Sequence, residues 1–437
     1  MERKLIDKKI LHMDLGEASQ SNELHHRDMT GEALPALTNR QKTVMVPVIQ
    51  TMKDYILLHY RQGIAAELCR QIVESEVATG YDIDDIRVIP LPKTCRFRHM
   101  TFWRASASSI IADIDVGIDL LLQDGVIDDT VKADFLVALH IDMDEGAILD
   151  FEVFGESDTK PDRDLWLLSD YLVPILRKVE IEAGAEALLE KYYPEALYDL
   201  KAHDAFEMAG RMNLQVMRLP LYRRSRTKSM LFFCEGEIAV CTSPGDPSGE
   251  ASEMVRIPGN TIVINSSVIP KDSCHLSVYH ECIHFDWHYL FYRLQDMHNN
   301  DVKGLKTRRV VKTEKRRGEN PLLWMEWQAR RGSYALMMPA SAMQPEIKTA
   351  LEETAHLNWH LGRRLDCAAR RIAHENDERK YLVRARLIQL GHVMAKGALN
   401  YVDDRYIEPF AFSVEKGAGD YTFVIDKKTA FAEYRDN

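Results

Sequence analysis

The motif with the clearest chemical potential is His280-Glu281-Cys282-Ile283-His284, two histidines four residues apart with a glutamate directly after the first. On a helix, positions i and i+4 lie about 40° apart in projection, so both imidazoles can reach one Zn²⁺ at about 2.0–2.1 Å. Glu281 lies about 100° around from His280 and can face a zinc-activated water, whose pKa falls to about 7. The glutamate can take the water's proton and deliver it to a leaving amine. This spacing is typical of a metalloprotease.

The surrounding sequence favours a helix for this motif and offers a third ligand on a second helix. No proline or glycine interrupts residues 273–296. An apolar stripe at helical spacing is formed by Leu276, Tyr279, Ile283 and Trp287. A catalytic zinc site needs a third protein ligand and leaves a fourth position open. The best candidate is Glu326, which lies in a second helix predicted over about residues 320–338.

The segment after Glu326 has a distinctive pattern. Its characteristic residues are Glu326, Ala329, Leu336, Met338 and Pro339, with Met337 as a near match. Together with the earlier motif, this pattern resembles the ImmA/IrrE family of metallopeptidases, which pairs an HE-x-x-H helix with a helix of the form E-x-x-A-n-x-F-A-x-x-L-L-M-P. Upstream, Ile262–Asn265 and Ser277–His280 fit the strand and loop that lead into the family's first helix. The resemblance covers about residues 180–345.

The sequence departs from the family pattern at three places. The family's usual Leu-Gly is replaced by Cys282-Ile283, its Asn by Arg330, and its Phe-Ala by Gly332-Ser333. The resemblance implies a gluzincin-like site in which His280, His284 and Glu326 hold zinc and Glu281 is the general base. It also implies limited proteolysis of a regulatory protein, which in that family is often a helix-turn-helix repressor.

Several neighbouring residues could share or compete for these roles. His288 could be a ligand, a transition-state donor or an ordinary polar residue, since it drifts about 80° from His280. Cys282 is a weak alternative ligand because its angular position opposes His280. His356 and His360 form a second i,i+4 pair, but no acid lies between them, and surface histidines are favoured. The candidates for oxyanion support, which could equally be core residues, are Tyr279 and Tyr334.

Composition limits the class of protein. The 437 residues exceed one typical domain of about 100–200 residues, so two or three domains are expected. No apolar run approaches about 18 residues and the first ten residues lack the apolar core of a secretion signal, so we expect a cytoplasmic protein without membrane contact. Seven scattered cysteines argue against a disulfide framework. The net charge of −11 disfavours broad nucleic-acid binding.

Residues 1–160 are predicted to form an α+β module of unknown role. Residues 1–40 are polar and patternless, and residues 44–77 show near-helical spacing. Alternating apolar residues then predict antiparallel strands around 112–118, 135–143 and 149–153. The wet face of this sheet is expected to carry Asp113, Asp115, Asp119, Asp142 and Asp144, an interpretation preferred over a metal site.

Residues 161–345 are predicted to form the peptidase core and residues 346–437 a helical extension. The core begins with a helical pattern over Leu165–Tyr193, which Pro174 kinks or breaks. Its strands are predicted at Leu214–Leu219, Met230–Cys234, Glu237–Cys241 and Thr261–Asn265, with a hairpin turn at Glu235-Gly236. The extension is predicted to hold helices near 346–400 and a closing hairpin of Pro409–Ser413 with Tyr421–Ile425.

The charged connection 301–319 carries eight lysines and arginines against three acids. Its simplest interpretation is a solvated loop. Because it lies between the two predicted ligand helices, it could instead steer an acidic substrate segment or gate the cleft. Arg223, Arg224, Arg226 and Lys228 could extend that surface.

These patterns together predict an α+β fold. A zincin-like peptidase core, with a small antiparallel or mixed sheet, the HE-x-x-H helix and the Glu326 helix, is expected between the N-terminal module and the helical extension. The expected function is zinc-dependent hydrolysis of a peptide bond in a regulatory protein. A rival is a non-catalytic binding module that retains the zinc fold and docks a repressor or nucleic acid. Zinc-dependent hydrolysis of a non-peptide amide is a weaker option.

Overall fold

The computed structural model describes residues 50–74, 86–123, 128–155, 161–202, 204–221, 227–241, 252–269, 274–298, 320–357, 359 and 361–396, with short strands between 398 and 424. Its α-helices are α1 Met52–His59, α2 Arg61–Val73, α3 Lys178–Tyr192, α4 Ala205–Arg211, α5 His275–Trp287, α6 Tyr289–His298, α7 Pro321–Met337, α8 Ala340–Glu353, α9 Leu361–Glu375 and α10 Lys380–Gln389.

The longer strands are β1 Arg87–Pro90, β2 Arg96–Arg104, β3 Ser109–Gln123, β4 Asp128–Asp142, β5 Ala147–Phe154, β6 Trp166–Leu168, β7 Gln215–Leu219, β8 Ser229–Phe232, β9 Gly236–Cys241, β10 Ser252–Ile257 and β11 Thr261–Asn265. Short strands follow at β12 Ala398–Leu399, β13 Tyr401–Val402, β14 Arg405–Tyr406, β15 Phe412–Ser413, β16 Gly417–Ala418 and β17 Phe423–Val424. The protein is thus a mixed α+β structure, as the sequence predicted.

The alternating segments of the N-terminal half form one antiparallel sheet of order β5-β4-β3-β2-β6, with β1 paired to the end of β3. The fully buried side chains of β3 include Ala112, Ile114, Val116 and Ile118, which confirms the predicted alternation. Helices α1 and α2 share the hydrophobic core of this sheet. Asp113 pairs with Arg163 at 2.7 Å and Asp119 pairs with Arg96 at 2.6 Å, so these two acids are held by arginines.

This sheet packs directly against the helix that continues the predicted metal-binding motif. Leu290 and Leu294 of α6 are buried in the same hydrophobic core as the sheet. The Arg293 guanidinium donates to the carbonyl oxygens of Met143 at 3.0 Å and Asp144 at 2.6 Å, in the β4–β5 turn. The sheet therefore supports the end of the α5–α6 segment. Residues 50–437 belong to one compact unit, and the predicted boundaries near 160 and 345 stay predictions.

The central part is built on a three-stranded mixed sheet of order β7-β11-β8. Strand β11 lies in the middle, parallel to β7 and antiparallel to β8, and all five of its residues are buried. A strand that is buried on both faces usually has a continuous run of apolar residues. Strand β11 has such a run at its centre, in the sequence Thr261-Ile-Val-Ile-Asn265. Strand β11 leads along the chain into α5, so the sheet fixes where the motif helix begins.

Two predictions for the central part are wrong. The predicted β8–β9 hairpin at Glu235-Gly236 does not form, because β8 pairs with β11 while β9 pairs with β10 over six residues. The helical pattern over Leu165–Tyr193 holds only from α3 onward. Its first part is strand β6, which pairs with β2. Leu172 then adopts φ of 59°, which no helix tolerates, so the chain turns before Pro174.

Helices α8, α9 and α10 form the helical extension that the sequence predicted. The fully buried Arg386 of α10 joins this extension to the core, since its guanidinium donates to the Met338 carbonyl at 2.7 Å and pairs with Glu182 at 2.6 Å. Of the predicted closing hairpin, the structure describes only residues 412–413 and 423–424, and these pair with β16 and β12 and not with each other. Within the described ranges, no helix has the length and apolar character of a bilayer-spanning segment.

Candidate metal centre

Three side chains from two helices converge at one point. His280 and His284 project from α5 and Glu326 from α7. The two Nε2 atoms lie 3.2 Å apart, Glu326 Oε2 lies 3.5 Å from His280 Nε2, and Glu326 Oε1 lies 3.5 Å from His284 Nε2. Among the residues that the structure describes, these three form the one cluster of His, Cys, Asp or Glu side chains that could hold a metal ion.

Glu326 approaches the two imidazoles with different oxygens, and the three separations are close to those between the ligand atoms of one tetrahedral ion. Two atoms bound at about 2.0–2.1 Å to one tetrahedral ion lie about 3.3–3.4 Å apart. The three measured separations, 3.2, 3.5 and 3.5 Å, fall within about 0.2 Å of that value. The three side chains therefore need little movement to bind one ion.

Close packing of α5 against α7 makes this convergence possible. A Cβ atom at Gly332 of α7 would lie 2.9 Å from Ile283 Cδ1 and 3.2 Å from the Trp287 ring. A Cβ atom at Gly184 of α3 would lie 3.0 Å from the Trp166 ring and 3.2 Å from the Trp287 ring. Trp287 thus fits between two helices at positions that lack a side chain. The absence of a side chain at Gly332 allows α7 to lie this close to α5.

The N-terminal half of α7 is fixed by polar contacts as well as by packing. The Asn320 side chain caps the helix by accepting from the Leu322 backbone N–H at 3.0 Å, and Pro321 occupies the first turn, where its missing N–H costs nothing. Trp324 Nε1 and Gln328 Nε2 both donate to the Pro174 carbonyl, at 3.1 and 2.6 Å. These contacts set the rotation of α7 and therefore the direction of the Glu326 side chain.

Contacts within the cluster shift the pKa values of Glu326 and His280. Burial alone would raise the pKa of Glu326, but its contacts with His280 and His284 hold that pKa far below its usual range. Burial alone would lower the pKa of His280, but the hydrogen bond to Glu326 and the charges of Glu281 and Glu326 raise it. A carboxylate kept ionised beside two imidazoles is a donor set suited to a divalent cation.

Glu281 is 2% exposed and accepts a hydrogen bond from a serine hydroxyl. Ser229 Oγ, at the start of β8, donates to Glu281 Oε1 at 2.7 Å. This hydrogen bond ties the carboxylate to the central sheet, fifty-two residues away along the chain. The serine was not identified from the sequence, because nothing near the motif points to a partner so distant in the chain.

His288, a candidate ligand in the sequence, lies behind His284 and not in the ligand cluster. It is fully buried, its Nδ1 lies 2.9 Å from His284 Nδ1, and its Nε2 lies 2.8 Å from Gln328 Oε1. Burial, and then the neighbouring His284, lower the pKa of His288 well below its usual range. Gln328 was missed by the sequence analysis, since its contact with His288 joins residues that are 40 positions apart in the chain.

Tyr292, on α6, was also missed by the sequence analysis. Backbone hydrogen bonds from His288 N to His284 O and from Tyr292 N to His288 O carry the helical path across the α5–α6 junction. Positions 280, 284, 288 and 292 therefore follow one i,i+4 stripe, a signal available in the sequence. Burial, followed by the charges of Glu326 and Glu281, raises the pKa of the Tyr292 hydroxyl well above its usual range.

The other candidates lie away from the cluster. Tyr279 and Cys282 are fully buried in the hydrophobic core, and burial, followed by the charge of Glu281, raises the pKa of the Cys282 thiol. A protonated thiol is not a metal ligand. Tyr334 is half-buried on α7 and packs against the same core. His356 is exposed, as predicted. The basic connection 301–319, Arg223, Arg224, Arg226 and His360 lie outside the described residues.

Comparisons of the chain with protein-family models, with curated proteins and with solved structures found no match. The interpretation of the cluster therefore depends on its geometry and on the motif pattern. The ImmA/IrrE resemblance stays a prediction.

Proposed function

We propose that the protein is a zinc-dependent endopeptidase. The observation that carries this proposal is the cluster of His280, His284 and Glu326, whose nitrogen and oxygen atoms lie 3.2–3.5 Å apart, with the Glu281 carboxylate held alongside. The proposed peptidase core consists of the β7-β11-β8 sheet with α5 and α7, a zincin-like arrangement. A helix carrying two imidazoles and a general base beside a helix carrying a carboxylate ligand is the pattern expected of such enzymes.

The donor set favours zinc over the other common divalent ions. Two imidazoles and one carboxylate suit Zn²⁺, whereas Mg²⁺ and Ca²⁺ prefer ligand spheres made of oxygen. Three protein ligands leave a fourth position open, which distinguishes catalytic from structural zinc sites. When bound, zinc would supply Lewis acidity that polarises a substrate carbonyl and makes water acidic near neutral pH.

Glu281 is proposed as the general base and acid. Its carboxylate takes a proton from the attacking water and later delivers it to the nitrogen of the leaving amine. The hydrogen bond from Ser229 to Oε1 orients the carboxylate for this proton transfer. Because Glu281 is almost fully buried, its orientation is fixed before substrate arrives.

Tyr292 is proposed to donate a hydrogen bond to the developing oxyanion. Its pKa lies well above the usual range, so the hydroxyl keeps its proton at neutral pH. The ring is held by aromatic contacts, with its centroid 4.9 Å from that of Phe233 and 5.3 Å from that of Phe291. A preorganised donor in a water-poor site stabilises transition-state charge more than substrate.

Tyr292→Phe should lower kcat by about 10²–10³-fold, the usual effect of removing one oxyanion donor, while zinc content stays at one ion per chain. The measurement is steady-state peptide cleavage together with metal analysis. Tyr198→Phe, at a tyrosine that is 84% exposed, is the matched control and should cleave normally. Normal kcat in the Tyr292 variant would remove this residue from the mechanism.

The substrate class follows from the motif resemblance. We propose limited cleavage of a regulatory protein, with a helix-turn-helix repressor as the leading candidate, in the cytoplasm. The helical extension and the N-terminal sheet flank the proposed core and could contribute to substrate selection.

The test is cleavage by the purified full chain. The zinc-loaded protein is incubated with a protein extract and with purified helix-turn-helix repressors, and new amino termini are identified by mass spectrometry. We expect defined new termini that disappear when a chelator removes the metal and return when zinc is restored. Equal yields of new termini from the zinc-loaded and the metal-free chain would contradict the proposal.

A further inference from the structure

We propose that His288 and Gln328 are positioning residues that hold His284 through its Nδ1–H and so direct its Nε2 to the metal. The inference rests on the metal-binding part of the proposed function and is independent of peptide hydrolysis. It concerns four groups linked by hydrogen bonds, which lead from the ligand cluster into the interior: His284, His288, Gln328 and the carbonyl of Pro174.

The donor and acceptor roles in this series of hydrogen bonds are fixed at its inner end. The Pro174 carbonyl can only accept hydrogen bonds, and it receives one from Gln328 Nε2 at 2.6 Å and one from Trp324 Nε1 at 3.1 Å. Rotating the Gln328 amide by 180° would bring two acceptor oxygens within 2.6 Å of each other, which is repulsive. The amide nitrogen therefore faces Pro174 and the amide oxygen faces His288.

The amide oxygen then determines the proton position on His288. Gln328 Oε1 can only accept, so the proton of the 2.8 Å contact belongs to His288 Nε2. The His288 ring is fully buried, and its two partners are a neutral amide and another imidazole, so a charged ring would be strongly disfavoured. A neutral imidazole carries one ring proton, which leaves His288 Nδ1 as an acceptor.

His284 is fixed by the same logic. Its Nδ1 lies 2.9 Å from the acceptor Nδ1 of His288 and must supply the proton of that hydrogen bond. In a neutral His284 ring the lone pair is then on the opposite nitrogen, Nε2, which is the atom that lies 3.5 Å from the Glu326 carboxylate. Ligating histidines commonly donate their other N–H to an outer partner, and loss of that partner typically costs about 10–100-fold in metal affinity.

The first test uses the unmodified full chain without metal, at a pH at which the imidazole rings are neutral. Long-range ¹H–¹⁵N correlation spectra of labelled histidine distinguish the Nδ1–H tautomer from the Nε2–H tautomer. We expect His284 to carry its proton on Nδ1 and His288 to carry its proton on Nε2. A His284 that carries its proton on Nε2 in the metal-free protein would overturn the proposal, and this result needs no variant to fold.

The second test separates proton positioning from packing. His288→Asn keeps an acceptor oxygen near the position of Nδ1 but loses ring volume, whereas His288→Phe keeps the ring and loses the acceptor. Zinc affinity is measured by competition with a chelator. We expect the phenylalanine variant to bind zinc about 10–100-fold more weakly and the asparagine variant to stay within a few-fold of the unmodified chain. The reverse order would assign His288 a packing role and refute the inference.

Failure of the inference and failure of the proposed function give different results. If the unmodified chain binds one zinc ion but His284 carries its proton on Nε2, the tautomer chain is wrong and the metal centre stands. If the unmodified chain binds no zinc while the tautomers are as stated, the proposed function fails and the positioning argument survives.

Discussion

Glu281→Gln is expected to slow peptide hydrolysis by about 10²–10⁴-fold while one zinc ion per chain stays bound. Glutamine has nearly the same shape as glutamate, and its amide oxygen can still accept the hydrogen bond from Ser229 that measures 2.7 Å in the unmodified protein. Only the ability to take and return a proton is lost. The substitution therefore separates the catalytic role of this side chain from its structural role.

The measurement is the rate of substrate cleavage at equal zinc occupancy for the two proteins. The matched control is Glu353→Gln, at an exposed glutamate that pairs with Arg371 and lies in the helical extension. It should cleave at the normal rate. Normal cleavage by the Glu281 variant would show that the general base is another group. Normal biological function without any cleavage would favour the rival binding module, which should instead depend on the basic residues of 301–319.

His280→Ala is expected to remove stoichiometric zinc and, with it, all measurable cleavage. The substitution deletes one of three ligands and leaves His284 and Glu326, whose nearest atoms lie 3.5 Å apart, as the remaining pair. Because an outer-shell partner alone is worth about 10–100-fold in metal affinity, loss of a direct ligand should cost more than that. Metal analysis of the purified protein, before and after dialysis against a weak chelator, measures the effect.

His356→Ala is the matched control for this variant. His356 is exposed on the helical extension, and the same substitution there should change neither zinc content nor cleavage. Retention of one tightly bound zinc ion by the His280 variant would show that the ion binds elsewhere. Zinc retained by the His280 variant but lost on substitution of His288 would move His288 into the ligand set.

The clustering of the motif side chains could be predicted from their local spacing in the sequence. His280 and His284 are one helical turn apart, and Glu281 follows from the same helix, so periodicity alone brings them near one ion. Glu326 could be predicted only from the motif pattern, since it lies forty-two positions beyond His284 on another helix. The structure brings these four side chains together as the sequence analysis expected.

The partners of these residues could not be predicted for a physical reason. The hydrogen bonds from Ser229 to Glu281, from His288 to Gln328 and from Gln328 to the Pro174 carbonyl cross 52, 40 and 154 residues of sequence. Such contacts depend on how the sheet and helices pack, which no local periodicity encodes. Tyr292 is the exception, because its place on the stripe of 280, 284 and 288 was visible in the spacing.

The same distinction applies to the fold. The strand alternation in β3 and β4 was predictable because one face of that sheet is buried and the other is wet. The partner of β9 was not, because a Glu-Gly turn permits a hairpin without requiring one, and β10 offered six paired residues. Trp166–Leu168 fitted a helical stripe by its apolar residues, yet its edge pairing with β2 decided its conformation.

The position of the Trp287 ring between Gly184 and Gly332 limits the side chains that these two positions can carry. The indole of α5 contacts α3 at Gly184 and α7 at Gly332, so it helps to set the distance between the helix with two imidazoles and the helix with the carboxylate. A methyl group at either glycine would push a neighbour aside by a few tenths of an ångström, which is comparable to the tolerance of about 0.2 Å for zinc bond lengths. The alignment of the three proposed ligands therefore depends on two positions that have no side chain.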